Sequence, residues 1–185
     1  MDCQLIKKSD HRDTDASQHK RAISVYTLSH ALRELQTMPN RTHIDALNAV
    51  LADYFALYLK TKNFHWHVSG PHFREYHLLL DEQAAEIIAT TDLVAERVRK
   101  QGAVTLHSIG EVSRLTRIKD SDKTDLDAVA MLTELRGDNL SLVASLKELK
   151  DLVDEAKDNA TSGILDEWTD QAEQRAWFLG EAVKG

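Results

Sequence analysis

The sequence is poor in cysteine, proline and glycine, with one, two and seven of them in 185 residues. The single cysteine, Cys3, cannot form an internal disulfide, which fits the reducing cytoplasm, and we interpret it as incidental rather than reactive. So little proline and glycine excludes a turn-rich all-β fold and favours long helices. Apolar runs stay below the roughly 18 residues that a membrane-spanning helix needs, and the N-terminus lacks the apolar core of a secretion signal. We therefore expect a cytoplasmic, helical protein with no membrane partner.

The net charge of −7 argues against a folded domain whose surface binds nucleic acid along its length. Residues 1–22 contain five lysines and arginines against four aspartates, so this segment is polar but only weakly basic. Such a composition predicts a flexible N-terminal tail. Residues 23–185 are then expected to form one domain, which is long enough to bury a core.

Apolar residues recur at helical spacing through most of the chain. The helices predicted in this way span Ile23 to Met38, Thr42 (as N-cap) to about Val68, Pro71 to about Lys100, Ser108 to Arg117, Thr124 or Asp125 (as N-cap) to about Lys157, and Ser162 to Val183. No segment has the alternation of a strand. Four long helices, with a short one in the long central connection, predict an all-α, ferritin-like four-helix bundle.

Five side chains between residues 65 and 96 are candidate metal ligands: His65, His77, Asp81, Asp92 and Glu96. Imidazoles and carboxylates together suit divalent iron, manganese or zinc. If His77 is set at zero on a helical wheel, the three acidic residues lie at about 40°, 60° and 100°, so all four share one face.

The same helix geometry divides the four residues into two pairs. Asp81 and Asp92 are separated by roughly 16 Å along the axis, too far for one ion to contact both. An antiparallel copy of the helix, related by a two-fold axis, would bring His77 and Asp81 against the other copy's acidic pair. His65 on the preceding helix could complete each site. The spacing therefore points to metal sites between subunits.

Simpler interpretations of these residues exist. A lone histidine on a helix is more often structural or surface-exposed, and two carboxylates one turn apart are more often a solvated face. Four such residues on one arc favour the metal site. None of the nine histidines follows a glutamate by three residues, which disfavours a di-iron site of the usual kind inside one bundle.

The segment HWHVSGPHFREYHLLLDEQ, followed by TDLVAERVRKQG, resembles the Dps proteins, the bacterial mini-ferritins. The resemblance covers about residues 42–183, and its motifs are His-Trp-x-x-x-Gly with a later His-x-x-x-Asp, and a downstream Asp-x-x-x-Glu-Arg. Tyr76 departs from the aliphatic residue common at its position. The resemblance implies a hollow shell of twelve identical subunits with iron centres at two-fold interfaces.

By position in those motifs, one subunit is expected to supply His65, His77 and Asp81, and the other Asp92 and Glu96. The implied activity is that of a ferroxidase, which oxidises Fe(II), preferably with hydrogen peroxide, stores Fe(III) and protects DNA from oxidative damage. Trp66 is expected either to pack at the interface or, as the resemblance suggests, to be an oxidisable ring beside the iron.

The family also places a pore that admits iron near the end of the third long helix, where Asp154 and Asp158 lie one turn apart. A charged surface face is the simpler interpretation of this pair. Asn159 and Gly163 stand where the family often has aspartates, so the pore is either less acidic or depends on Asp154, Asp158 and Asp166.

Two other functions remain open on the sequence. The protein could be a stress-induced nucleoid-binding protein that compacts DNA, with iron chemistry secondary. It could also be a purely structural bundle with accidental ligands, which comparison of metal-free and iron-loaded spectra would distinguish. The acidic charge and nearly neutral tail speak against tight DNA binding.

We predict that DNA binding is weak and salt-dependent, because only the tails carry a slight positive charge for phosphates. Several tails on one duplex would supply the remaining affinity by avidity. In gel-shift assays, deletion of residues 1–22 should abolish binding and leave iron oxidation unchanged. Tight binding at physiological salt that survives the deletion would make DNA compaction a main function.

Overall fold

The structure, a computed structural model, describes residues 41–184. Within this range the chain forms five α-helices: α1 (Arg41–His67), α2 (Phe73–Lys100), α3 (Ile109–Leu115), α4 (Ala128–Glu155) and α5 (Asn159–Ala182). The predicted tail, Cys3 and the predicted helix from Ile23 to Met38 lie outside the described residues. Among the described helices, none is both long enough and apolar enough to cross a membrane.

The four long helices pack as an antiparallel bundle. Near the end of α1, Lys60 forms ion pairs of 2.8 and 2.7 Å with Glu134 and Asp138 near the start of α4. Where α2 begins, the Tyr76 hydroxyl donates to the carbonyl of Ala182, the last residue of α5. The short helix α3 packs against α1 within the long connection. The predicted four-helix bundle is confirmed, including its short connecting helix.

Two glycines with positive φ lie at the ends of α2. Gly70, with φ of 111°, forms the turn that joins α1 to α2, and Gly102, with φ of 76°, follows the end of α2. Side chains other than glycine rarely adopt this conformation. Pro71 lies in the turn itself, two residues before α2 begins, and not in the first helical turn as predicted.

Both predicted N-caps are wrong. Ser108, predicted as the first residue of the short helix, is the N-cap of α3 and accepts from the Glu111 N–H. Thr42 lies inside α1, and the cap of α4 is Asp127, which accepts a 2.7 Å hydrogen bond from the Ala130 N–H. Since Thr124, Asp125 and Asp127 are all good capping residues, the local sequence does not distinguish among them.

The helix α5 also begins earlier than predicted. Its N-cap is Asp158, whose carboxylate accepts from the Thr161 N–H at 3.2 Å, so Ser162 lies within the first helical turns. Consequently the connection between α4 and α5 is very short, as expected between antiparallel neighbours.

The bundle interior is mainly aliphatic, with Tyr54 and Phe64 of α1 and Trp168 of α5 as its buried large aromatic side chains. Its fully buried members include Leu47, Leu51, Leu57, Phe64, Leu80, Ile87, Leu132, Leu135, Leu142, Leu146, Leu165, Trp168 and Leu179. Burial of each such side chain contributes roughly 1.5–3 kcal/mol, which makes this core the main source of stability.

A polar group interrupts the core. Arg175 is buried, and its Nε donates to Asn139 at 2.9 Å. Its Nη1 lies 3.1 Å from Glu86 Oε2, an ion pair without hydrogen-bond alignment. Burial raises the pKa of the adjacent Tyr54 hydroxyl to about 12, against the opposing influence of Arg175. The centre of the bundle therefore contains a fixed positive charge.

The long connection is anchored to α1 by Asp53, which is buried. Its carboxylate accepts the Arg117 backbone N–H at 2.6 Å and the Arg117 guanidinium at 2.9 and 2.6 Å. The Thr116 hydroxyl donates to the same carboxylate at 3.2 Å. The Asp53 side chain thus provides the hydrogen-bond acceptor for the backbone N–H of Arg117, just after the end of α3.

We predict that Asp53→Ala lowers the free energy of unfolding by about 2–3 kcal/mol, because it leaves a partly buried N–H and guanidinium without their acceptor. Urea unfolding followed by circular dichroism, at fixed subunit concentration, measures the change. Asp122→Ala, which removes an exposed carboxylate from the same connection, is the control and should change stability by less than about 0.5 kcal/mol. Equal effects of the two substitutions would contradict the anchoring role.

Candidate metal centre

The end of α1 and the beginning of α2 bring His65 and His77 together. Each ring donates its Nδ1–H to the backbone carbonyl of the other histidine, at 2.8 Å from His65 and 2.9 Å from His77. A carbonyl oxygen only accepts, so both Nδ1 atoms carry the proton. In the neutral form of each ring, Nε2 is then the nitrogen that has the lone pair, and this tautomer can bind a metal through Nε2.

The two imidazoles also contact each other directly. Their ring centroids are 3.8 Å apart, with planes 22° from parallel. His65 is buried and His77 half-buried, so neighbouring side chains restrict both rings. Stacking and the two carbonyl bonds fix the direction of both Nε2 atoms without any metal.

Asp81 lies beside this pair, with Oδ1 3.8 Å from His65 Nε2. The same oxygen accepts a 2.7 Å hydrogen bond from Lys62 Nζ. This hydrogen bond and the charge of Lys62 lower the pKa of Asp81, so the carboxylate is ionised at neutral pH. Lys62 was not identified from the sequence, although it precedes His65 by three residues and so lies on the same face of α1.

Asp92 and Glu96 lie toward the opposite end of α2, and both are exposed. A 2.8 Å hydrogen bond from Lys100 lowers the pKa of Glu96. The helical rise places Asp92 roughly 16 Å from Asp81 along the axis of α2, as calculated from the sequence, and Glu96 one turn farther away. Within residues 41–184 of one chain, no three His, Cys, Asp or Glu side chains are grouped closely enough to hold an ion. A single chain therefore contains two separate halves of the predicted site.

The centre of the bundle is unsuited to a cation. Carboxylate-bridged metal pairs in other four-helix bundles lie between the helices, on inward-facing glutamates and histidines. In this chain the buried Arg175 lies there, paired with Glu86. A metal cation at that place would be repelled by the positive charge of the guanidinium group.

Comparison with known proteins agrees with this architecture. Residues 44–184 match the model of the ferritin-like domain family. A DNA protection during starvation protein of Brevibacillus brevis is 33% identical over 133 residues, which cover 72% of this chain and 89% of the relative. The crystal structure of a Dps protein from Bacillus brevis superposes with a TM-score of 0.76 at 30% identity, covering 79% of this chain and 97% of that one.

The chain belongs to the Dps family of ferritin-like proteins.

A further solved structure shares the fold. It is a Dps protein from Vibrio cholerae, described as a member of a broad superfamily of ferritin-like diiron-carboxylate proteins. The TM-score is 0.75 at 25% identity, covering 80% of this chain and 92% of that one. The resemblance noted in the sequence is thereby confirmed at the level of family and fold, while the five ligands remain a prediction.

Trp66 is exposed, with 59% of its surface accessible in the single chain. It lines an open cleft of about 690 Å³ together with Asn63, His67 and the loop from Asp120 to Thr124. The neighbouring His67 donates Nδ1–H to the carbonyl of Asn63, within its own helix. Trp66 is thus an exposed aromatic side chain that directly follows the candidate ligand His65 in the sequence.

The two predicted pore residues have different surroundings in this Dps chain. Asp154 is exposed near the end of α4. Asp158 caps α5, and it also accepts from the guanidinium of Arg97 at 3.0 and 3.2 Å and from Gln101 at 2.7 Å. Burial raises the pKa of Asp158, but the hydrogen bonds from Thr161 and the contacts of Arg97 outweigh it and lower the pKa.

Asp166, the third acidic residue considered for the pore, forms a 2.9 Å ion pair with Lys150. The negative charges of Asp158 and Asp166 are therefore both paired with basic side chains of the same chain. Of the three carboxylates, Asp154 is the most available to attract an incoming cation. The assignment of these residues to a pore remains a prediction.

We predict that Co(II), a redox-inert probe, quenches the fluorescence of Trp66 in the assembled protein, because this indole is attached next to His65 and a paramagnetic ion quenches only at short range. Trp66→Phe should remove most of the quenching. Trp177→Phe is the matched control, since Trp177 is equally exposed at 61% but lies on α5, and it should leave the quenching intact. Quenching retained in Trp66→Phe would place the bound ion elsewhere.

Proposed function

We propose that the protein is a ferroxidase and iron-storage protein of the cytoplasm. It oxidises Fe(II), preferably with hydrogen peroxide, at centres shared between two-fold-related subunits, and it stores Fe(III) inside a hollow shell. One observation carries the proposal: the Nδ1 atoms of His65 and His77 are both bonded to backbone carbonyls, and His65 Nε2 lies 3.8 Å from Asp81, toward the opposite end of α2 from Asp92 and Glu96.

The donor set suits iron as a substrate. Neutral imidazoles and ionised carboxylates bind Fe(II) without a prior loss of protons. Three of the five side chains, Asp81, Asp92 and Glu96, are exposed in the single chain. A metal that passes through the protein, rather than remaining in it, needs such open access.

The proposed reaction balances with two Fe(II) and one hydrogen peroxide. Each Fe(II) gives one electron, the O–O bond breaks, and two protons complete two water molecules. Ferrous iron and peroxide are consumed together, so hydroxyl radicals do not form. That outcome fits the description of the Brevibacillus brevis relative as a DNA protection protein, and the carboxylate chemistry fits the superfamily named for the Vibrio cholerae structure.

Assembly is part of the proposal. Because the two halves of the site are separated along one helix, a second subunit must supply the missing half. A two-fold axis makes the contact self-complementary and yields two equivalent centres for each pair of subunits. The Dps resemblance suggests a closed shell of twelve.

The decisive experiment uses shells that mix two inactive chains. We expect His77→Ala/Asp81→Ala and Asp92→Ala/Glu96→Ala to be nearly inactive as homo-oligomers. In a random one-to-one mixture, half of the two-fold interfaces join one subunit of each variant. Each of these mixed interfaces has one intact site and one site without any of the four ligands. About one quarter of the wild-type activity should therefore return. Anaerobic Fe(II) titration followed by peroxide addition, read by Fe(III) absorbance, gives the activity.

The matched control is Glu75→Ala/Glu82→Ala, which removes two exposed carboxylates from another face of α2 and should remain active. Mass spectrometry verifies that both variants are present in each mixed shell, and light scattering measures the size of the shells. Failure of verified mixed shells to recover activity would refute the shared site, as would full activity in a stable monomer.

A further inference from the structure

The guanidinium of Arg175 is buried in the bundle without a complete set of hydrogen-bond partners. Only 2% of the residue is exposed, and its Nε donates to Asn139 at 2.9 Å. Within the described residues, Nη1 and Nη2 have no hydrogen-bond partner. Buried donors are normally paired, because each unpaired one costs free energy. The two Nη atoms therefore form a fork of donors that the chain itself leaves unused.

This guanidinium contributes to the lining of an open cleft between α2 and α5. The cleft has a volume of about 210 Å³, and its lining includes Gln174 and the apolar side chains of Leu79 and Phe178. Since one water molecule takes up about 30 Å³ in the liquid, a small solute fits there together with water. The cleft thus combines a buried positive charge with the amide N–H donors of Gln174.

Glu86 is the group that lies against the guanidinium. Its Oε2 is 3.1 Å from Arg175 Nη1, but the pair lacks hydrogen-bond alignment, and the Glu86 side chain is 36% exposed. A partly exposed, poorly aligned ion pair contributes little, so this carboxylate can turn into solvent at low cost. Glu82, the other acidic residue of the lining, is exposed, and water screens its charge. Glu86 is therefore a weak internal occupant of an anion position.

We propose that the α2–α5 cleft binds a small oxyanion, of the class of inorganic phosphate, on the two Nη atoms of Arg175. Arginine binds phosphate through two parallel, charge-assisted N–H···O bonds, which are shorter and stronger than the contact with Glu86. The amide of Gln174 is a donor for a third oxygen of a tetrahedral anion. Glu86 competes for the same guanidinium, so it sets the phosphate concentration at which the cleft fills.

This site is separate from the candidate metal centre. Glu86 follows Asp81 by five residues on α2, and the helical rotation turns it roughly 140° away from that aspartate. The inference goes beyond the proposed function and does not depend on it. A bound anion completes the hydrogen bonds of Arg175, so phosphate should stabilise the fold whether or not the protein oxidises iron.

Equilibrium dialysis of radiolabelled phosphate against assembled, iron-free shells tests the site. Glu86→Gln removes the competing charge with almost no change of shape, so the dissociation constant for phosphate should fall by about tenfold. At constant ionic strength, phosphate should also raise the melting temperature of this variant more than that of wild type.

The matched control is Glu173→Gln on α5, where the glutamate is 49% exposed and pairs with Lys147. It too leaves a basic side chain without its partner, so it reports phosphate attracted to any unpaired cation. This control should leave the dissociation constant unchanged. Arg175→Lys keeps the positive charge but removes the fork of donors, and it should weaken phosphate binding by about tenfold.

Light scattering checks the assembly of each variant. The comparison of Glu86→Gln with Glu173→Gln decides the question even if Arg175→Lys does not assemble. Equal phosphate binding by these two variants and wild type, or no binding by Glu86→Gln, would overturn the site, and water alone would then complete the hydrogen bonds of Arg175. Neither result bears on the proposed ferroxidase, since the test contains no iron.

Discussion

The paired hydrogen bonds between His65 and His77 fix the relation of α1 to α2, and the geometry of the candidate centre depends on that relation. Each histidine donates to the other's backbone carbonyl, so the end of α1 and the start of α2 are joined at two points. The Gly70 turn makes this approach possible because its positive φ reverses the chain within a few residues. A shift of either helix by one residue would break both bonds and move His65 Nε2 away from Asp81.

Helical periodicity was sufficient to predict the bundle and the common face of His77, Asp81, Asp92 and Glu96, because both follow from the fixed rotation and rise of one helix. It did not predict contacts between helices. Lys62 lies on α1 and Asp81 on α2, so a helical wheel of either helix alone cannot show their ion pair. The cap of α4 and the start of α5 were misplaced for a related reason, since several neighbouring polar residues have equal local preference and tertiary packing selects among them.

The polar group at the centre of the bundle explains why the metal chemistry is expected at its surface. Arg175 supplies there a positive charge that is paired with Glu86, and its Nε donates a hydrogen bond to Asn139. The pairing with Glu86 is an ion pair alone, since neither Nη1 nor Nη2 of Arg175 has a hydrogen-bond partner in the described part of the chain, and a cation added at this place would be repelled by the guanidinium. The three candidate carboxylates, Asp81, Asp92 and Glu96, lie on exposed faces outside this polar group, where they are accessible to a cation. This separation suits a protein whose metal is cargo.

Both halves of the candidate centre have a positive counter-charge within the chain, Lys62 at Asp81 and Lys100 at Glu96. In the proposed assembly three carboxylates meet at each centre, and their mutual repulsion would oppose association before any iron binds. The two lysines offset this repulsion, while the lowered pKa of Asp81 and of Glu96 shows that the carboxylates remain ionised for an incoming cation. The iron-free centre is thus nearly balanced in charge. Because the side chain of Lys100 is more exposed than that of Lys62, it can move into solvent at lower cost when a cation binds.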